Sequence, residues 1–598
     1  MTAVIPKHDD QGDLFDFARD GAGAQRARRA LETGRSRLLV TGLVIMVVFA
    51  ALGWRVVDLT LFTDRAEPNL ARAGGTAAPI YTRADVVDRN GIIVATSLPS
   101  VSLYADPKNI LDVNETADKL VHVLPDLDRA KLMRQLRSNG RFVYLKRNLL
   151  PEQHFAVHRL GLPGIQFERG ERRVYPQGRL LAHVLGVTNI DGHGTAGVER
   201  RFDQRLTGSA EPLALSIDVR LQGIAREELA KAVAEFQGIG GTAVVLDANT
   251  SELVAMVSLP DFDPNRPVEL LGDAGFNRAT KGVYEMGSTF KVLTAAMALD
   301  AGVVPISGGY DASKPLKVAR ETITDYHAKN RWLSVPEILI HSSNIGAAKM
   351  ALDLGSKAQQ TYLGRLGLLR PSPVELPEVG RPLYPARWRE INTVTISYGY
   401  GISVTPLQLT NAIAAVVNGG IYRPTTVLRQ DAAQGIRGEK VFSGDTSAKM
   451  RGLMRLVVSR GTGKNAEKQA DGYLIGGKTG TAEKVKAGGY SEKANIASFI
   501  GAFPIHAPKY VIAVMVDEPK GNKKSFGYAT GGWVAAPSVG RIVQRLAGVM
   551  GIGPEPGMPR LAAEEDLAAY RDPGSVTGPL KPAAHREIAG AIDASPGR

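Results

Sequence analysis

Apolar and polar positions divide the chain into stretches of different character. From Leu38 to Trp54 (LLVTGLVIMVVFAALGW) no residue is charged, and the run continues weakly through Val56, Val57, Leu59, Leu61 and Phe62. Such a run predicts a single transmembrane helix, placed at 38–60. Residues 1–37 mix Asp, Gly and Arg without periodicity and are expected to form a disordered tail. Beyond a small-residue linker at Ala71–Ala78, Asp85 to Ala95 reads as strand, Asn-Gly turn, strand, and Ala117–Leu124 as helix. These open an N-terminal domain expected at 75–212. His183, alone in an apolar run, reads as a packed histidine rather than a ligand.

A second change of pattern comes near Pro212. Leu213–Asp218 alternates as a strand, Val219–Phe236 as an amphipathic helix, and Gly241–Asp247 with Leu253–Ser258 reads as two strands around a polar turn. Lys291–Leu299 (KVLTAAMAL) is apolar on nearly all sides, the pattern of a helix inside a core. Gly476–Ala482, Ala497–Phe503 and Tyr510–Asp517 read as successive antiparallel strands. A second domain is therefore expected at 213–552 and a Pro- and Gly-rich, disordered tail at 553–598. The fold class is α+β, an antiparallel sheet between helices.

Composition narrows the chemistry. With 598 residues, 44% hydrophobic and 22% charged, the chain has room for roughly two to four domains. The absence of cysteine excludes disulfides, thiolate zinc sites and a cysteine nucleophile. No metal and no cofactor is expected. A net charge of +13 fits a basic surface beside an anionic membrane or polymer, and no nucleic-acid module accompanies it. Arg26, Arg28, Arg29, Arg35 and Arg37 precede the apolar run, so the N-terminus is expected in the cytoplasm and the bulk of the chain outside. A cleaved signal peptide is the alternative, disfavoured by the long N-region and the long apolar core.

Three short motifs carry the chemistry: Ser288-Thr289-Phe290-Lys291, Ser342-Ser343-Asn344 and Lys478-Thr479-Gly480. A lysine three residues after a serine on a helix lies on the same face and can take the hydroxyl proton. At the start of a buried helix, Ser288 is placed for acyl transfer, and Lys291 among apolar residues and other cations is expected to ionise at a lowered pKa. Ser342 and Asn344 suit a proton relay and an amide clamp. Lys478, Thr479 and Gly480 on a strand offer a cation, a hydroxyl and room for a ligand backbone, matched to a carboxylate. Taken singly, each motif is more often a helix cap or ordinary strand; their ordered occurrence is what carries weight.

The triplet is that of penicillin-binding proteins and class A β-lactamases. The chain resembles the class B penicillin-binding proteins in Tyr284–Lys291, Ser397–Gly401 and Thr405–Gln408, and in Arg83 to Asn90-Gly91, Arg173–Pro176 and Gly194–Gly208, over roughly residues 80 to 540. Met286 departs from the proline usual there. The resemblance implies a penicillin-binding transpeptidase fold with an N-terminal pedestal of the dimerisation type. It also implies a D,D-transpeptidase that cross-links peptidoglycan, most like the division-specific branch.

In that reading Ser288 is the nucleophile, Lys291 the base and Ser342 the proton relay. Asn344, Lys478, Thr479 and Gly480 bind substrate, and the backbone amides of Ser288 and Thr481 form the oxyanion hole. Implied partners are stem peptides ending in D-Ala-D-Ala, β-lactams, the membrane, a polytopic glycan polymerase and other division proteins, with no nucleic acid. The implied location is the inner membrane, single-pass, with the catalytic domain periplasmic. A β-lactamase and a bifunctional enzyme fit less well, since the chain carries an anchor and pedestal but no glycosyltransferase motif. An elongation enzyme or a non-catalytic penicillin sensor are the remaining alternatives.

Overall fold

The structure is a computed structural model that describes residues 42–54, 83–431, 437–486 and 489–554, with the side chains of 485–493 left undescribed. The chain divides into two compact units, Met1–Ile80 and Tyr81–Arg598. In the first, residues 42–54 form one helix. No described helix is long and apolar enough to cross a membrane. The expected span, 38–60, runs beyond the described helix at both ends, and the expected tails, 1–37 and 553–598, lie outside the described residues except for 553 and 554.

The second unit opens with the Asn-Gly hairpin. Strand β1 (Val86–Val87) turns back into β2 (Ile93–Ala105), with Asp88 accepting from the amides of Asn90 and Ile92 at 2.7 and 2.9 Å and Gly91 at φ +85°. A left-handed residue closes such a turn, and glycine takes it without steric cost. β2 then pairs with β3 (Val143–Leu149) on one side and β4 (Ile165–Val174) on the other. Helices α1 (Val113–Val123) and α2 (Arg129–Leu136), N-capped by Asp112 and Asp128, cover one face and bury Leu103, Leu120, Leu132 and Leu145.

Strand β5 (Leu213–Ala214) pairs parallel with β1, and the chain then enters a larger core at Leu215 and Ile217. Near this crossing Glu199, with no exposed side-chain surface, accepts from Arg83 Nε at 2.6 Å and Arg173 Nε at 2.7 Å. His183 is buried against Phe262, its Nε2 lies 2.8 Å from the Ala274 carbonyl, and burial pulls its pKa down to about 4. It is a packed histidine, as its apolar neighbours predict.

The second sheet has five antiparallel strands. In chain order they are β6 (Gly240–Asp247), β7 (Leu253–Leu259), β8 (Gly476–Lys486), β9 (Gly489–Phe503) and β10 (Tyr510–Asp517); in space the order is β8-β9-β10-β6-β7. Strand alternation sends Val244, Leu246, Ala513 and Ile500 to one face and Ala243, Val245, Val514 and Phe499 to the other. Helix α3 (Val219–Glu235) and the C-terminal helix Ala536–Val549 cover the second face. Helices α4 (Phe290–Asp300), α5 (Asn344–Leu354) and α6 (Pro406–Val417) lie with the first. This is an antiparallel sheet between helices, and burial on both faces explains its unbroken apolar strands. In α4 every residue from Phe290 to Ala298 is buried, which explains its lack of a polar stripe.

Candidate active site

The site forms where α4 begins beside strand β8. Ser288 lies in a short 3-10 turn, Gly287–Thr289, that runs directly into α4, one residue before the cap position, which Thr289 takes. Gly287 holds φ +54° and donates its amide to Gly399 O at 3.2 Å. A Cβ on Gly399 would lie 2.1 Å from Gly287 O, so two backbones meet at van der Waals distance without side chains between them. Glu285 accepts from the Gly401 amide at 2.6 Å, and Thr289 Oγ1 donates to Met286 O at 2.8 Å. Thus Tyr284–Lys291 and Ser397–Gly401, far apart in sequence, pack as one support for the turn that carries Ser288. Met286 sits at φ −96°, outside the range a proline ring holds.

Lys291 is 1% exposed, and its amine stands among four acceptors. Nζ lies 2.6 Å from Ser342 O, 2.7 Å from Asn344 Oδ1, 3.1 Å from Ser342 Oγ and 3.1 Å from Ser288 Oγ. The two shortest contacts go to carbonyl oxygens, which can only accept. A neutral amine satisfies both with its two N–H groups and keeps one lone pair for a hydroxyl proton. Burial holds the Lys291 pKa well below its ordinary value, the Lys478 charge lowers it further, and Asp325 opposes both. The half-buried Ser288 hydroxyl is the reachable end of this pair.

Ser342 is brought to the amine by a tight turn. It occupies the left-handed region at φ +58°, a conformation that costs a β-carbon residue on the order of 1 kcal/mol or more. Ser343 points away from the amine: its Oγ caps α5 by accepting from the Gly346 amide at 3.0 Å and donates to Asp325 Oδ2 at 2.7 Å. Asn344, the first residue of α5, directs Oδ1 to Lys291 and Nδ2 to Thr324 O at 2.9 Å.

Lys478 comes from β8, has no exposed surface, and donates to Ser342 Oγ at 3.1 Å and to Thr479 O at 3.0 Å. Burial pulls its pKa down to about 7. Thr479 Oγ1 lies 2.6 Å from Thr462 Oγ1, and Thr481 Oγ1 accepts from the Gly531 amide at 3.2 Å. Among the described residues β8 pairs only with β9, so its other edge carries no strand. A Cβ on Gly287 would lie 2.6 Å from Thr481 O, which sets the turn that carries Ser288 against that edge and the backbones of Ser288 and Thr481 side by side.

A Cβ on Gly480 would meet Ser498 Oγ at 2.5 Å and Met286 O at 2.7 Å, so the missing side chain is needed for β8 to pack on the turn that carries Ser288. Sequence reasoning also missed Asp325 and Thr462, each of which touches a motif residue only through the tertiary fold. Among the described residues no group of three or more His, Cys, Asp or Glu side chains is arranged to hold a metal ion.

A serine and a buried lysine joined to a second serine and a second lysine, at the edge of an antiparallel sheet between helices, define the penicillin-binding class of serine acyl-enzymes. Residues 241–544 match the penicillin binding protein transpeptidase domain, and residues 81–231 the penicillin-binding protein dimerisation domain. The chain is 40% identical to the probable peptidoglycan D,D-transpeptidase FtsI of Caulobacter vibrioides, over 80% of this chain and 84% of that protein. It is 34% identical to the peptidoglycan D,D-transpeptidase FtsI of Escherichia coli K12, over 79% of this chain and 84% of that one. Its structure resembles the transpeptidase domain of penicillin-binding protein 3 from Burkholderia pseudomallei, with TM-score 0.52, 34% identity, and coverage of 58% and 98% of the two chains. A peptidoglycan synthetase from Bifidobacterium adolescentis shares the fold, at TM-score 0.63, 22% identity, and 80% and 97% coverage. The chain belongs to the penicillin-binding transpeptidase family.

Proposed function

We propose that this protein is a peptidoglycan D,D-transpeptidase that cross-links stem peptides in septal wall synthesis and is acylated by β-lactams. The observation that carries the reading is the Lys291 amine, 3.1 Å from Ser288 Oγ and held by two carbonyl acceptors. Ser288 Oγ attacks the penultimate D-Ala carbonyl of a donor ending in D-Ala-D-Ala while Lys291 takes its proton. An ester forms, the D-Ala-D-Ala amide breaks, and Ser342, between Lys291 and Lys478, passes the proton to the leaving amine. An acceptor amine then attacks the ester and releases Ser288 with its proton restored. Lys478 and Thr479 hold the terminal carboxylate, Asn344 the donor amide, and the amides of Ser288 and Thr481 the developing oxyanion. Gly480 contributes by packing.

The domain scheme is a pedestal at 75–212 and a catalytic domain at 213–552, tethered by a transmembrane anchor at 38–60 with the N-terminus cytoplasmic. The uncharged run from Leu38 to Trp54 and the arginines before it support that topology. A polytopic glycan polymerase and other division proteins are its partners, reached through anchor and pedestal.

Labelling membranes with a fluorescent penicillin tests the chemistry: the native protein is labelled covalently and Ser288→Ala is not. Persistent labelling of that variant overturns the nucleophile assignment. Depletion gives filaments if the role is septal and rounded cells if it is elongation. Because the chain has no cysteine, single introduced cysteines before residue 38 and after residue 60 report topology by their reaction with a membrane-impermeant thiol reagent.

A further inference from the structure

A short hairpin, Leu316–Val318 paired with Glu321–Ile323, delivers Thr324 and Asp325 to the start of α5. There the two residues hold Asn344 at both ends. Asp325 Oδ1 accepts from the backbone amides of Asn344 at 2.5 Å and Ile345 at 3.0 Å, and Oδ2 accepts from Ser343 Oγ at 2.7 Å. Thr324 O takes the Asn344 side-chain N–H at 2.9 Å. An amide side chain fixed in this way has one free acceptor, Oδ1, and it faces Lys291 Nζ at 2.7 Å. None of these bonds is local: residues 324 and 325 lie about twenty positions before their partners.

We infer that Asp325 is a positioning residue for acylation: it locks the orientation of Asn344 toward the Lys291 amine and sets a carboxylate charge in the surroundings of that base. The inference rests on Lys291 acting as the base for Ser288. Two consequences separate it from a merely structural helix cap. First, the Asn344 acceptor consumes one N–H of Lys291, which keeps the lone pair directed at a hydroxyl; loosening it lowers the rate without removing any group that touches substrate. Second, the charged groups acting on Lys291 are Lys478 from β8, which lowers its pKa, and Asp325, which raises it. Removing the carboxylate leaves Lys291 neutral at still lower pH.

The test is the pH profile of β-lactam acylation in the full chain, comparing the native protein with Asp325→Asn, which keeps the shape and the oxygen that accepts from both amides but puts an N–H donor where Oδ2 accepts from Ser343 Oγ. The expected result is a rate constant lower by about tenfold or more, with the acidic limb moved to lower pH by about half a unit or more. Asp325→Ser supplies a second neutral cap should the asparagine variant not fold. Asp325→Glu keeps the charge and is expected to keep the limb in place while losing rate. An unchanged rate, or a lower plateau with an unmoved limb in the neutral variants, overturns the inference. Failure of the native protein to acylate at Ser288 overturns the proposed function instead, so the two failures are distinguishable.

Discussion

Lys291 and Lys478, two buried lysines from a helix and a strand, both reach one hydroxyl, Ser342 Oγ, at 3.1 Å each. A hydroxyl can accept from two amines, or accept from a charged one and donate to a neutral one. The second arrangement puts the two lysines in different protonation states, and burial favours it because two adjacent buried charges are costly. It also defines a continuous route for a proton, from Ser288 through Lys291 to Ser342, with Lys478 as the remaining cation.

That division of labour sets a pH dependence. On the proposed roles, acylation by a β-lactam carrying a carboxylate needs Lys291 neutral and Lys478 charged. The second-order rate constant should therefore rise as Lys291 loses its proton and fall again above about 7, where free Lys478 loses its own. A neutral ester of the same compound should lack the alkaline limb, and stopped-flow acylation of the pair from pH 5 to 9 checks it.

The same lysines oppose stability. Lys478 ionises at about 7 in the fold and at its ordinary 10.5 when unfolded, so between those values the unfolded chain binds more protons. Stability should rise with pH across that window, and below about 7 the burial cost is fully in force. Lys478→Met is expected to unfold at higher denaturant than the native protein at pH 6.5, by on the order of a few kcal/mol, while losing acylation. A less stable variant at that pH contradicts the assignment.

Gly480→Ala should disable the site by sterics alone. Its methyl would press on Ser498 Oγ and on the Met286 carbonyl, and overpacking of this kind costs about 1–3 kcal/mol. The shift falls on the turn that carries Ser288, so acylation should drop by about a hundredfold. Adding Ser498→Gly removes the hydroxyl contact but leaves the backbone carbonyl, and should not restore the rate; the same acylation assay reads both variants.

What was legible beforehand follows from range. Ser288 and Lys291 lie three residues apart on one helix, so local geometry alone joins them. β6, β7 and β10 were legible because both their faces are buried, which leaves continuous apolar runs. β4 was not: in IQFERGERRV only Ile165 and Phe167 pack on the apolar cluster under the helices, and half of the strand is exposed. Asp325, Thr462 and the Gly287–Gly399 contact were invisible for another reason. Each acts on a partner far along the chain through backbone placement, which no spacing encodes. The packing demand at Gly480 was equally unreadable, because a glycine on an edge strand signals close approach without saying what approaches.

Thr462 gives a prediction that separates binding from chemistry. Its hydroxyl meets Thr479 Oγ1 at 2.6 Å, and it touches none of Ser288, Lys291 or Ser342 by hydrogen bond. Thr462→Val should free the Thr479 hydroxyl to rotate and weaken capture of the ligand carboxylate by about five- to tenfold, one neutral hydrogen bond's worth. The maximal acylation rate at saturating β-lactam should change little. A loss confined to that maximal rate would mean that Thr462 supports the chemistry instead.

The pedestal network supplies the last test. Glu199 is fully buried and accepts from Arg83 and Arg173, whose side chains are 4% and 3% exposed. Arg83 keeps a second carboxylate, Asp203, at 2.6 Å, whereas among the described residues Arg173 has only the Ala84 carbonyl and the Ser97 hydroxyl besides Glu199. Glu199→Gln therefore strands the Arg173 charge more than the Arg83 charge, and breaking one side of a buried pair costs about 3–5 kcal/mol. Removing the stranded charge as well should recover part of the loss, so Glu199→Gln with Arg173→Met is expected to be more stable than the sum of the single changes. Denaturant unfolding of the four proteins measures this coupling. Acylation of Ser288 in the folded variants should be retained, because no group of this network touches the nucleophile or its amines; strict additivity would show that Arg173 finds its compensation elsewhere.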